Sequence, residues 1–264
     1  MPWPDHPEPT AEEIADRVRT ERHGPVLLVR IHRPDRHQAI DPATTLGLDA
    51  ALNRLDDSDD LRCGVLTGGE RAFCAGTDVT VGPGAPTPRG GNYGVVARRR
   101  TTPLIAAVEG VAYGGGLEIA LACDLVVASR DARFALPEVG LGLVANCGAL
   151  FRTPRALTPA VAKRMLLTGE PLTAARAHEL GLVTDLVDPG AAVDAALALA
   201  ATIASRSPVA VRATLAAVDS AVLEADARGW ADTDRAVDAI AGSADRAEGL
   251  AAFAEKRPPR FSGH

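Results

Sequence analysis

Aromatic side chains are scarce here. Two tryptophans, two tyrosines and five phenylalanines make up 3% of 264 residues, so the 47% hydrophobic share rests on alanine and the aliphatic side chains. Cysteine is scarcer still. Cys63, Cys74, Cys123 and Cys147 show no CxxC or other metal-ligand spacing, and a chain long enough to bury a large core does not depend on disulfides. This usage implies a reducing, cytoplasmic setting. A basic excess is also missing: 28 Lys and Arg against 34 Asp and Glu leave a net charge of −6, which excludes the clustered positive surface of a nucleic-acid binder. Arg98-Arg99-Arg100 is the local exception and reads as a solvated helix face. No segment approaches the roughly 18 apolar residues of a membrane span. The richest, Ala191 to Ala204, carries Asp194 and reads as a buried amphipathic helix, while residues 1–25 hold prolines and charges where a secretory signal needs an apolar run.

What the chain does contain is an alternation of short apolar runs and helical patterns. Val26 to Ile31, Cys63 to Thr67, Leu104 to Val108 and Leu125 to Ala128 read as buried strands. Asp41-Pro42 offers an N-cap with proline at the first helical position, opening a helix that reaches Leu55. Gly68 to Asp78 reads as a loop running toward a site, and Val81 to Tyr93 is rich enough in Gly and Pro to be a mobile flap or irregular loop. Strands alternating with helices predict parallel pairing through right-handed crossovers, an α/β core over residues 1–190. Residues 191–264 read as helical throughout, near 191–205, 208–226, 228–241 and 245–254. No tandem repeat is evident.

Two segments carry chemistry. In Glu109-Gly110-Val111-Ala112-Tyr113-Gly114-Gly115-Gly116-Leu117-Glu118 a glycine cluster opens a helix, where unpaired N–H groups and the dipole favour negative charge. Gly115 and Glu118 stand three apart, on one helix face. The same glycines also suit close strand–helix packing, with Glu118 as a first-turn acid. They lack G-x-G-x-x-G spacing, which leaves a nucleotide-dependent oxidoreductase as a distant reading. Glu138 follows Pro137, where the backbone has little freedom; a lone Glu in a loop otherwise reads as a surface acid. There is no G-x-S-x-G elbow, and the six histidines show no ligand pattern, so no metal site is expected.

Taken together, these segments resemble the crotonase superfamily, the enoyl-CoA hydratase/isomerases, over nearly the whole chain. Ala72-Phe73-Cys74-Ala75-Gly76-Thr77-Asp78 is similar to the family's first oxyanion-hole loop, with its amide at Thr77, and Gly110 to Glu118 to the second, with its amide at Gly115. Phe134 to Leu143 resembles the segment bearing the hydratases' second glutamate, so both carboxylates, Glu118 and Glu138, are present twenty positions apart. Arg33 to Ile40, with Arg36 and Ala39, resembles a CoA-contacting turn. The resemblance adds Ala75 and Asp78 as CoA contacts, and Phe253 and Lys256 as contacts reaching CoA from a neighbouring subunit. It implies a spiral of ββα turns with a C-terminal helical trimerisation region, assembled as a homotrimer or a dimer of trimers.

The implied reaction is hydration of a trans-2-enoyl-CoA, with the enolate held by the Thr77 and Gly115 amides. Glu118 activates water, Glu138 moves the α-carbon proton, and the CoA thioester serves as substrate with no separate cofactor. Leu136 beside Glu138 predicts a carboxyl raised by desolvation. The sequence departs from the family at Val144-Ala145-Asn146-Cys147-Gly148-Ala149, which replaces a Pro-Gly and glycine-rich helix start beside the second glutamate, and at Thr77, where alanine is common. Those departures keep open a double-bond isomerase using Glu138 alone, and a CoA-ester-binding subunit without turnover.

Overall fold

A computed structural model describes residues 8–221 and 223–263 and finds each buried run in a strand. The chain begins with α1 (Ala11–Arg17), β1 (Val18–His23), β2 (Val26–Ile31), α2 (Pro42–Asp57), β3 (Cys63–Thr67) and β4 (Ala72–Cys74). Next come β5 (Leu104–Val108), β6 (Val111–Tyr113), α3 (Gly115–Leu121), β7 (Leu125–Ser129) and β8 (Arg133–Ala135). Further on lie α4 (Ala149–Ala156), α5 (Pro159–Thr168), β9 (Leu172–Thr173), α6 (Ala174–Glu179) and β10 (Asp185–Val187). Four helices close the chain: α7 (Ala192–Ala204), α8 (Pro208–Ser220), α9 (Leu223–Ala241) and α10 (Ala244–Ala254).

Among the described residues, six strands form one sheet in the order β1-β2-β3-β5-β7-β10, and four form a second, β4-β6-β8-β9. From β2 to β10 the large sheet is parallel, and only β1 runs antiparallel, against β2. The pairs β3/β4, β5/β6 and β7/β8 each contribute one strand to either sheet, so each turn of the spiral advances both sheets by one strand. That is the crotonase spiral. The chain leaves the large sheet at β5, crosses at Gly110 and enters α3 from the small sheet, which puts the glycine cluster at the junction of the layers.

Both faces of the large sheet are covered. Leu48, Leu52 and Leu55 of α2 join Leu27, Val29, Leu66, Leu104 and Val108 in the main core. On the opposite face Ala192, Ala196, Ala200 and Ala204 recur every fourth residue along α7 and pack on Val26, Leu28, Val65, Ile105 and Val127. Alanine lets that helix lie close to the strands. A division at residue 190 therefore separates α7 from the sheet it covers.

One expectation needs correction. Arg98-Arg99-Arg100 is not a solvated helix face. Arg98 is buried and pairs with Asp49 at 2.5 Å and Asp56 at 3.1 Å, and Arg100 pairs with Asp124 at 2.6 Å. Acids from α2 and from the turn after α3 claim those two guanidiniums, and only Arg99 is exposed. The segment from Val81 to Tyr93 is irregular as expected, yet it is pinned to α2. Thr45 Oγ1 donates to Pro83 O at 2.6 Å, and Thr87 Oγ1 donates to Asp49 Oδ1 at 2.7 Å.

Candidate active site

The loop after β4 and the start of α3 meet edge to edge. Gly76 has φ +96°, and a Cβ there would lie 3.0 Å from Tyr113 O and 3.2 Å from Gly115 N, so only glycine permits the approach. On the other side, Ile40 N donates to Gly76 O at 2.8 Å and Asp78 N donates to Ile40 O at 2.9 Å, which bridges Ile40 to Thr77. That pairing turns the Thr77 N–H away from Ile40. Among the described residues, neither the Thr77 nor the Gly115 N–H donates to another group of the chain. Two unpaired amides on adjoining loops, one at the start of α3, form a place for negative oxygen.

Glu118, one turn into α3, is buried, and its Oε1 accepts N–H bonds from Cys147 at 2.6 Å and Ala149 at 3.1 Å. Those donors belong to the entry of α4, so the segment Val144 to Ala149 clamps the carboxylate through its backbone. Burial pushes Glu118 up to about 7, and the two N–H bonds and the Arg152 charge pull against it. The Cys147 thiol is engaged as well: Asn92 Nδ2 donates to it at 3.4 Å, and it donates to Asn146 Oδ1 at 3.3 Å.

Glu138 opens the 3-10 turn Glu138–Leu141. Its Oε1 lies where a Cβ on Gly114 would touch it at 3.1 Å, at the same helix start. Its Oε2 is buried without a hydrogen-bond partner among the described residues. Burial first, then the negative charge of Glu118, lifts Glu138 up to about 8, as the apolar Leu136 next to it led one to expect. The helix α10 packs behind this turn. A Cβ on Gly249 would fall 2.2 Å from Leu141 O, so the helix backbone rests on the turn that carries Glu138.

The remaining sequence-predicted residues divide into two groups. Arg36 lies exposed on the 3-10 turn Pro34–Arg36, Ala39 is buried behind it, and the Ala75 N–H donates to His37 O at 3.1 Å. These loops lie side by side. Asp78 is buried and committed to Arg33, 2.7 Å away, which also holds Asp41 at 3.1 Å, so it braces the turn from behind. Phe253 and Lys256, at and just beyond the end of α10, are both exposed.

Tyr93 was missed. It is buried, takes a left-handed φ of 59°, and places its hydroxyl 2.9 Å from Thr77 Oγ1. The signal lay in Gly90-Gly91-Asn92-Tyr93-Gly94, where one large ring stands among residues chosen for backbone freedom.

An interlocked double sheet thus carries a buried Glu118, a half-buried Glu138 and two free amides around the start of one helix. The family model for enoyl-CoA hydratase/isomerase matches residues 21–264, and the chain belongs to that family, within the crotonase superfamily. It is similar to (E)-benzylidenesuccinyl-CoA hydratase of Thauera aromatica, 40% identical over 93% of this chain and 99% of that protein. It is 36% identical to carnitinyl-CoA dehydratase of Salmonella arizonae over 95% of this chain and 100% of the relative. Among solved structures, a carnitinyl-CoA dehydratase from Mycobacterium avium superposes with a TM-score of 0.89 at 42% identity, covering 95% of this chain and 100% of that one. With such relatives along nearly its whole length, the chain is an enzyme of the hydratase type, a hydro-lyase of acyl-CoA thioesters.

Proposed function

We propose that the chain adds water reversibly across the double bond of a trans-2-enoyl-CoA through a Glu118–Glu138 pair, with the enolate held by the Thr77 and Gly115 amides. The observation that carries this reading is the unequal housing of the two acids. Glu118 Oε1 accepts two backbone N–H groups, which favour its carboxylate form, so Glu118 is the base that takes the proton of water. Glu138 has an Oε2 with no partner among the described residues and a carboxyl raised by burial and then by the Glu118 charge, both of which favour its protonated form, so it is the acid that delivers a proton to the α-carbon. In the step, the water oxygen bonds to the β-carbon, its proton passes to Glu118, and the π electrons move onto the thioester oxygen. Collapse of that enolate takes the Glu138 proton onto the α-carbon, and proton return from Glu118 to Glu138 resets the site. The two carboxyls titrate as a pair.

Arg36, Ala39 and Ala75 line the loops proposed to receive CoA, and Phe253 and Lys256 are proposed to reach it from a neighbouring copy in a homotrimer or a dimer of trimers. The helices from Pro208 onward would supply the contacts between copies. A cytoplasmic setting fits the unpaired cysteines. The test is a panel of trans-2- and trans-3-enoyl-CoA thioesters of short, long, branched and aromatic chains, followed by loss or gain of thioester-conjugated absorbance. Loss of absorbance from the trans-2 substrate with the 3-hydroxyacyl product supports hydration. Gain from the trans-3 substrate without hydroxylated product would instead make the enzyme an isomerase.

A further inference from the structure

We infer that Tyr93 is a third oxyanion donor, a side-chain hydroxyl that joins the Thr77 and Gly115 amides at the thioester oxygen and is aimed there by the hydroxyl of Thr77. The inference rests on the site proposed above. Tyr93 is 3% exposed, yet its hydroxyl is not spent on the core. It reaches Thr77 Oγ1 at 2.9 Å and lies directly over Gly115, where a Cβ would fall 2.5 Å from the oxygen. One phenol thus touches both residues whose amides are free.

A phenol has one proton to donate and can also accept. With Thr77 Oγ1 donating to Tyr93, the phenolic proton is left for a ligand. The competing acceptor is Cys147, whose thiol stands near enough to raise Tyr93, and sulfur accepts only weakly. Burial holds the phenol well above its ordinary range, so it remains a donor at every working pH. The ring cannot swing away freely. The Thr87 and Gly91 backbones bond each other at 2.9 and 3.0 Å, and a Cβ on Gly94 would fall 2.6 Å from Thr45 O, so the segment is seated on α2. This gives meaning to a departure from the family: threonine at position 77 keeps the backbone donor and adds a hydroxyl that alanine lacks, within 2.9 Å of the Tyr93 hydroxyl.

The experiment compares Tyr93→Phe, Thr77→Val and the double variant with the unaltered enzyme. The readouts are crotonyl-CoA hydration and the ultraviolet band of a bound 3-oxoacyl-CoA, whose enolate copies the charge of the intermediate. Loss of one oxyanion donor lowers kcat by about 10²-fold, so Tyr93→Phe is expected to do so with KM within about threefold, and to weaken the enolate band. Thr77→Val is expected to act in the same direction, less strongly, and to add little to the double variant. Unchanged kcat and an unchanged band in Tyr93→Phe would reduce the residue to packing. A raised KM at full kcat would make it a wall of the acyl slot, and either result overturns the inference. Retained binding of a saturated acyl-CoA shows that a variant is folded. Lack of hydration by the unaltered enzyme would count against the proposed reaction, while the enolate band would still report on Tyr93.

Discussion

Glu118 and Glu138 are held as acids that the folded chain protonates more readily than the unfolded one, from an ordinary value of 4.5 to about 7 and about 8. The sign follows from proton counting. Between pH 4.5 and 8 the folded chain keeps protons that the unfolded chain has released, so the two sites cost stability progressively as pH rises through that window. Glu138→Gln is therefore expected to melt higher relative to the unaltered protein at pH 9 than at pH 5, each kcal/mol of difference moving Tm by about 2–4 °C in a chain of this size. Thermal melts at both values check it; a gap independent of pH would contradict the burial of that carboxyl. Arg98 is the opposite kind of buried charge, matched on both sides by Asp49 and Asp56. Arg98→Met removes the buried cation between them, leaving Asp49 with its Thr87 and Asn53 hydrogen bonds and Asp56 with Arg89 at 3.7 Å, and is expected to destabilise by roughly 3–5 kcal/mol in denaturant unfolding.

At the scale of elements, legibility followed side-chain pattern. The central strands β2, β3, β5 and β7 were evident because burial on both faces makes them continuous apolar runs. β1 was not evident, because Val18-Arg19-Thr20-Glu21-Arg22-His23 is an edge strand with every residue after Val18 exposed, and its charges blunt the edge. Three-residue strands such as β4, β6 and β8 are too short to show a period. Of the site, the two glutamates and two amides could be placed from motif and glycine position, whereas Tyr93 and the clamp from Cys147 and Ala149 arise from contacts distant in sequence. The alanine stripe on α7 carries an expectation of its own. Ala200→Leu would force the helix off the strands and cost about 1–3 kcal/mol by overpacking, readable in chemical denaturation.

On the scale of the whole molecule, the spiral is a device for bringing two loops and two acids to one junction, and its outermost helices remain uncovered. In α8 no residue is buried, and Val209 and Val218 are 76% and 64% exposed. That face fits the proposed contact between copies, so light scattering is expected to return three or six times the chain mass of 27.3 kDa, and Val218→Asp to lower it. The central claim, that a pair of glutamates adds water to an enolate-forming thioester, is tested most directly by crotonyl-CoA hydration in Glu118→Gln and Glu138→Gln. Each variant is expected to lose orders of magnitude in kcat while still binding CoA esters. Full turnover in either variant would contradict the role given to that residue, and full turnover in both would contradict the mechanism.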